Sequence, residues 1–144
     1  MMGAPFASDE EVLDAARVAG IDDFAAKHPE GYDMLISERG ESLSGGQRQS
    51  IAVARAILNK PSVLLLDEPS SNMDNQSEAM LRTRLKAMAA DKTLLLVTHR
   101  TALLDLVDRI IVVDSGRIVA DGPKEQVITA LREGRIGSAR RNHG

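Results

Sequence analysis

The stretch Val63-Leu64-Leu65-Leu66-Asp67-Glu68-Pro69 decides the predicted fold. Residues 63–66 are all apolar, which is typical of a parallel strand covered on both faces. Two carboxylates follow at the carboxyl end of the strand, the edge where ligands of open α/β sheets bind. Asp67 suits the coordination shell of Mg²⁺, and Glu68 suits a base that orients and deprotonates water. Two solvated carboxylates at a strand end remain the alternative.

Helices and buried strands alternate on both sides of this stretch. Residues 48–58 and 75–88 predict helices, and 93–97 predicts a second buried strand. Residues 100–107 predict a short helix, 110–120 a hairpin, and Gly122-Pro123 opens a last helix. This order predicts an α/β protein with a parallel sheet flanked by helices.

A helical piece precedes this layer at residues 8–40. Ser8 and Glu11 form a capping-box pattern, and Gly20 closes the helix that follows them. We expect Asp22 to cap a second short helix that runs to Lys27.

The motif Ser44-Gly45-Gly46-Gln47 begins the helix that precedes the quoted strand. It has a capping-box pattern. The two glycines would let an anion approach the backbone, where free N–H groups, the Ser44 hydroxyl and the helix dipole favour a phosphate. An ordinary capped helix is the alternative, although a simple cap does not need two glycines in its first turn.

Two further polar residues complete the candidate site. His99 follows the second buried strand, so we expect it at the same sheet edge as Asp67, where it could donate a hydrogen bond to a terminal phosphate. Asp74 could take part in binding, cap the next helix, or do both. The spacing of the motifs fits one helix and then one loop–helix–strand unit, which favours a functional interpretation of the whole set over the separate alternatives.

On these residues the chain resembles the C-terminal half of an ABC transporter nucleotide-binding domain, from about residue 5 to 136. Residues 43–47 resemble the signature motif, 63–68 the Walker B strand with its catalytic glutamate, 70–74 the D-loop, and His99 the H-loop histidine. The resemblance implies a partial P-loop NTPase (ABC ATPase) fold without the P-loop strand. It assigns residues 1–42 to the helical subdomain, 43–136 to the ATPase core and 137–144 to a disordered tail.

The resemblance also implies ATP and Mg²⁺ as cofactors and a second nucleotide-binding domain as partner. In the family, two such domains sandwich ATP head to tail. Asp67 would bind Mg²⁺, Glu68 and His99 would be catalytic in their own subunit, and Asp74 would couple the two sites. The residues that would contact the γ-phosphate held by the partner are Ser44, Gly45, Gly46 and Gln47.

Four segments point to an exporter. Glu38-Arg39-Gly40 resembles the X-loop, which touches the coupling helices of the transmembrane domain. Residues 71–75, 98–101 and 121–124 resemble type I secretion exporters, which move proteins across bacterial envelopes. Asn72 replaces a small residue usual in the D-loop, and Ser70 stands where threonine is common. The resemblance implies a place at the cytoplasmic face of the inner membrane.

Composition limits the other classes. The 144 residues carry a net charge of −3 and only 2% aromatics, which disfavours a nucleic-acid partner, and no cysteine is present for thiolate chemistry. The longest apolar runs have four residues, far below the ~20 that a membrane helix needs.

Three functional hypotheses follow. The chain is a segment of a larger exporter ATPase, or a free-standing half-cassette that docks on a complete ABC subunit, or a soluble ABC protein of DNA repair or translation. Glu38-Arg39-Gly40 and the acidic net charge argue against the third.

The absence of a P-loop string, G-x-x-x-x-G-K-[ST], generates two expectations. Strand 93–97 should gain an unpaired edge, strand 110–113 should lose its neighbour, and both should expose apolar side chains, which favours a marginal monomer or self-association. The 144-residue chain should also bind MgATP poorly and hydrolyse it only at the background rate. Phosphate release by the purified chain checks this, and clear turnover that Glu68→Gln abolishes would overturn it.

Overall fold

A computed structural model describes residues 7–27, 29, 31 and 43–136. The described elements confirm a mixed α/β fold with a short parallel sheet and helices. The helices are α1 (Asp9–Ala19), α2 (Ile21–Ala25), α3 (Gly45–Ile57), α4 (Asn75–Met88) and α5 (Lys124–Arg132). The strands are β1 (Val63–Asp67), β2 (Thr93–Val97), β3 (Arg109–Asp114) and β4 (Arg117–Pro123), and short 3₁₀ helices cover Ala89–Asp91 and Thr101–Leu106.

The chain divides into two compact units, Met1–Ala102 and Leu103–Gly144. The boundaries at 42/43 and 136/137 inferred from the family resemblance remain predictions. Glu38-Arg39-Gly40 and the predicted tail 137–144 lie outside the described residues. No helix in the described part of the chain is long and apolar enough to cross a membrane.

Helix α1 begins and ends as its sequence predicts. The Ser8 hydroxyl accepts from the Glu11 N–H, and the Glu11 carboxylate accepts from the Ser8 N–H, which completes the capping box. Gly20 ends the helix in the left-handed conformation with φ of 78°. The prediction for Asp22 was wrong: α2 follows directly from Gly20 without a side-chain cap, so Asp22 lies in its first turn.

Helix α3 packs against α1, α2 and β1. Small side chains on the facing surfaces permit this close approach: Ala15, Ala16 and Ala19 of α1 and Ala54 of α3 are all buried. Larger apolar residues fill the space around them. The buried set includes Ile21, Val53, Ile57, Leu81 and Leu85. The helical piece and the strand that carries the carboxylates therefore share one aliphatic core.

Strands β1 and β2 pair in parallel and in register, with Leu65 opposite Leu95 and Asp67 opposite Val97. Their side chains alternate between two faces. Leu64 and Leu66 are buried, whereas Leu65 is 62% exposed. The expectation that β1 is covered on both faces is therefore wrong for the described residues, since its second face is open. An all-apolar strand satisfies both arrangements equally well.

The second unit contains an antiparallel hairpin and a helix. β3 and β4 pair around Ser115 and Gly116, both of which have positive φ, as a type I′ turn requires. The Arg109 guanidinium donates two hydrogen bonds to the Asp121 carboxylate, at 2.7 and 2.8 Å. Helix α5 packs on the hairpin through buried Val127.

The open face of β1 and β2 generates a prediction about association. Val63, Leu65, Leu95 and Val97 are each at least half exposed. We expect the double variant Leu65→Thr/Leu95→Thr to reduce self-association, because it removes apolar surface in contact with water while introducing β-branched side chains, which suit a strand. Sedimentation velocity measures the effect.

The matched variant is Leu64→Ala on the opposite, buried face. It should leave association unchanged but lower the free energy of unfolding by roughly 2–5 kcal/mol, the cost of a core cavity. Equal association of wild type and the double threonine variant would contradict the assignment of this face as the associating surface.

Candidate functional site

The site is built around a contact between Glu68 and His99. Glu68 directly follows β1, and Thr98 and His99 directly follow β2. Because the two strands end level with each other, the residues after them meet. The His99 Nδ1 atom lies 2.7 Å from Glu68 Oε1, and the His99 backbone N–H donates to the same oxygen at 3.1 Å. Thr98 Oγ1 donates to the other carboxylate oxygen at 3.4 Å.

These contacts determine the protonation of the pair. The hydrogen bond from His99 lowers the pKa of the Glu68 carboxyl below its ordinary value, with further support from the charge and backbone N–H of His99 and from Thr98. An ionised carboxylate can only accept, so His99 Nδ1 carries the proton of this contact. In neutral His99, Nε2 is then an acceptor. Donation from Nε2 to a phosphate therefore requires the imidazolium form.

The exposure of the two side chains fits chemistry at an open edge. The His99 side chain is 79% exposed, while that of Glu68 is 30% exposed. The carboxylate is thus anchored and partly shielded, whereas the imidazole reaches into the solvent at the side where a ligand would approach. An ionised, partly shielded carboxylate next to a titratable donor can accept a proton from water and orient it.

The Glu68 backbone is held in an unusual conformation. Its φ is +45°, in the left-handed region that costs a residue with a Cβ about 1–3 kcal/mol. Two hydrogen bonds hold the backbone on either side of the Glu68 Cα: the Glu68 N–H donates to the Val97 carbonyl at 2.8 Å, and Gln49 Nε2 donates to the Glu68 carbonyl at 2.9 Å. The sequence analysis missed Gln49, because a polar residue inside an amphipathic helix carries no signal of a distant backbone partner.

Asp67 ends β1 and is exposed. Its carboxylate makes no hydrogen bond or ion pair with another described residue, so it is available to a ligand. No group of three or more acidic or histidine side chains in the described part of the chain is placed to hold a metal. One carboxylate is nevertheless enough for Mg²⁺ that also binds phosphate oxygens and water. Asp67 therefore fits the predicted metal role.

The Ser44 motif forms the capping box that the sequence predicts. The Ser44 hydroxyl accepts from the Gln47 N–H at 3.1 Å, and Gln47 Oε1 accepts from the Ser44 N–H at 3.0 Å. Packing within the chain also explains why residues 45 and 46 are glycines. A Cβ at Gly46 would lie 2.9 Å from the Asn72 carbonyl oxygen, and one at Gly45 would lie 3.1 Å from the Asn72 Cβ. The start of α3 thus packs directly on residues 70–74.

A cleft of about 340 Å³ opens beside this motif. Ser44, Gly46 and Gln47 line it from α3, and Asp74 lines it from the start of α4. Asp74 caps α4, because its carboxylate accepts from the Ser77 N–H at 2.8 Å, and this bond lowers the pKa of the Asp74 carboxyl. The structure therefore gathers the predicted residues into two groups, one around this cleft and one around Glu68 and His99.

A buried acidic residue ties the loops of the site together. Glu78 of α4 accepts a hydrogen bond from the Ser70 hydroxyl at 2.6 Å and one from Arg100 Nη1 at 2.7 Å. Arg100 Nη2 also donates to the Ser71 carbonyl at 3.2 Å, and the Arg100 N–H donates to Thr98 Oγ1 at 3.0 Å. The sequence analysis missed Glu78 and Arg100, whose pairing depends on a turn of the chain that local patterns do not reveal.

Comparisons with known proteins agree with this arrangement. The family model described as ABC transporter matches residues 7–71. A solved structure of a bacterial Atm1-family ABC exporter with ATP bound superposes with a TM-score of 0.81 at 35% identity, over 92% of this chain and 24% of that one. The chain therefore has a partial ABC ATPase fold, as its elements and motifs indicate.

Curated relatives add the exporter context. A protein of Staphylococcus aureus (strain NCTC 8325 / PS 47), described as a multidrug export ATP-binding/permease protein, is 41% identical over 128 residues. A protein with the same description from strain COL has the same identity. The match covers 89% of this chain and 22% of that relative, so the chain spans about a fifth of its length. The segment is therefore related to the ATP-binding parts of ABC exporters.

The buried Glu78 generates a prediction about acid stability. Hydrogen bonds from Ser70 and Arg100 lower the pKa of the Glu78 carboxyl below its ordinary value of 4.5, although burial opposes them. A carboxyl whose pKa is lowered by folding stabilises the protein above its ordinary pKa, and this stabilisation is lost as the pH falls through the lowered value.

We therefore expect Glu78→Gln to lower the free energy of unfolding by roughly 2 kcal/mol at pH 7, since it weakens two charge-assisted hydrogen bonds. The loss should shrink below about pH 4, where wild type loses the same contribution. Urea unfolding at pH 7 and at pH 3.5 measures both values. Glu10→Gln, at an exposed position of α1, is the control. A loss that is the same at both pH values would contradict the assignment.

Proposed function

We propose that this chain supplies the signature and catalytic-carboxylate parts of an ATP-binding cassette that couples ATP hydrolysis to export across a membrane. The contact between Glu68 and His99 at the carboxyl edge of two parallel strands is the observation that carries this proposal. It joins a base and a donor that lie far apart in the sequence, at the edge where α/β sheets bind ligands. The similarity to an exporter structure with ATP bound supports the same function.

The proposed roles follow from the contacts of each residue. Glu68 orients a water molecule and accepts its proton, because its carboxylate is ionised and held in place by His99 and Thr98. His99 would keep its Nδ1 proton toward Glu68 and, in the imidazolium form, would donate from Nε2 to the terminal phosphate. Asp67 would hold Mg²⁺, which neutralises phosphate charge when bound.

The second group of residues would act on a nucleotide held by a partner domain. Ser44, Gly45, Gly46 and Gln47 offer a capped helix start beside an open cleft, and helix starts favour phosphate. Asp74 lies on the same cleft. A head-to-tail dimer with a second nucleotide-binding domain would therefore use this face, and Glu38-Arg39-Gly40 would contact the transmembrane domain.

The cargo has two candidate classes. Residues 71–75, 98–101 and 121–124 resemble type I secretion exporters, which supports a protein or peptide. The relatives described as multidrug exporters support a small molecule instead. We propose export from the cytoplasmic face of the membrane for either cargo, since ATP-binding segments of both classes would face the same compartment.

A free-standing half-cassette is the second candidate function. The open cleft beside the capped start of α3 favours it, because such a surface could dock on the nucleotide of a complete ABC subunit. Binding of the chain to an intact cassette only when ATP is present would favour this function.

A chimaera tests the main proposal. The aligned segment of the Staphylococcus aureus relative would be replaced by the corresponding residues of this chain, over the 128 residues that match. We expect the chimaera to hydrolyse ATP, because those residues would complete its sites. Glu68→Gln should lower kcat by about 100-fold or more, the contribution of a positioned base.

Glu125→Gln is the matched control, since Glu125 lies at an exposed position of α5. It should leave turnover unchanged. A folded chimaera without ATP hydrolysis, or one that keeps full activity after Glu68→Gln, would overturn the proposed function.

A further inference from the structure

We propose that Gln49 is a positioning residue, which fixes the direction of the Glu68 carboxylate from the helix that bears the Ser44 motif. Glu68 leaves β1 with φ of +45°, so the direction of its side chain depends on a backbone conformation that is intrinsically unfavourable. Such a conformation persists only where surrounding contacts hold it. The contacts on this peptide are therefore part of the site.

Two groups hold the Glu68 backbone, one on each side of its Cα. The Glu68 N–H donates to the Val97 carbonyl, which continues the pairing of β1 with β2. The Glu68 carbonyl accepts from Gln49 Nε2 at 2.9 Å. This second bond is partly buried, so water does not replace it freely.

The position of Gln49 on α3 connects the Glu68 backbone to the Ser44 motif. Gln49 lies on α3, two residues after Gln47 of the capping box, and that helix begins at Gly45. Gly45 and Gly46 also lie close to Asn72, in the loop after Glu68, because a Cβ at either glycine would crowd Asn72. The start of α3 and the Glu68 peptide are therefore linked by a short, hydrogen-bonded path within one rigid helix.

The consequence rests on the proposed function. If the start of α3 contacts a nucleotide of a partner domain, the position of α3 also fixes the backbone conformation of Glu68. Glu68 is the residue that acts on the chain's own nucleotide. Through Gln49, the direction of the Glu68 carboxylate therefore depends on the position of α3. This role differs from that of Glu78 and Arg100, which connect the loops after the strands to α4.

The experiment compares two replacements in the 144-residue chain. Gln49→Leu removes the donor at similar volume, and Gln49→Glu keeps the shape but places an acceptor against the Glu68 carbonyl. Gln126→Leu, an identical change at an exposed position of α5, is the control. Amide hydrogen exchange of Glu68 and the ¹⁵N signals of the His99 ring are measured without nucleotide.

We expect both Gln49 variants to accelerate exchange of the Glu68 amide by roughly fivefold or more, because the bond of this amide to the Val97 carbonyl depends on the backbone conformation that Gln49 supports. The His99 ring should lose the signature of a protonated, hydrogen-bonded Nδ1, while the amides of Leu64–Leu66 keep their protection. Unchanged Glu68 and His99 signals would overturn the proposal. So would an equal acceleration across all of β1, because Gln49 would then only stabilise the fold.

The test does not depend on ATP, so it can succeed even if the chimaera is inactive. In an active chimaera, Gln49→Leu should lower kcat about tenfold with KM unchanged, because positioning acts on the reacting geometry and not on nucleotide binding. A rise in KM alone would overturn the positioning role while leaving the proposed function intact.

Discussion

The parallel, in-register pairing of β1 and β2 is the constraint on which the site depends. It places Asp67 opposite Val97, so the two strands end at the same level. Glu68 and His99 are among the first residues beyond the two strands, so they meet at this edge of the sheet. A shift of one residue would move every side chain of one strand to the opposite face and separate the pair. The buried Leu64 and Leu66 resist such a shift, because it would expose them.

Local signals predicted much of this arrangement. The capping boxes at Ser8 and Ser44 are encoded within four residues each, and both form. The end of β1 also follows from the sequence. The apolar run stops before Asp67, and a carboxylate is more easily solvated at a strand end than inside a buried strand. The prediction that His99 lies at the same sheet edge as Asp67 needed only the parallel order of the strands, which alternating helices and strands imply.

The parts that sequence did not reveal depend on distant neighbours. An apolar strand fits a sheet covered on one face or on two, so the exposure of Leu65 could not be predicted. Asp22 is a good capping residue, but the left-handed Gly20 already begins the next helix and leaves it no such role. Gln49 contacts the backbone of a residue 19 positions away, and backbone acceptors carry no sequence signature.

The positive φ of Glu68 has a consequence for how this position can vary. Glycine adopts that conformation at little cost, so its substitution there would relieve backbone strain while removing the carboxylate. Backbone stability and the chemistry of the acidic side chain therefore favour different residues at this one position. Glu68 is a site where the folded state is less stable than it could be because the backbone holds a chemical group in place.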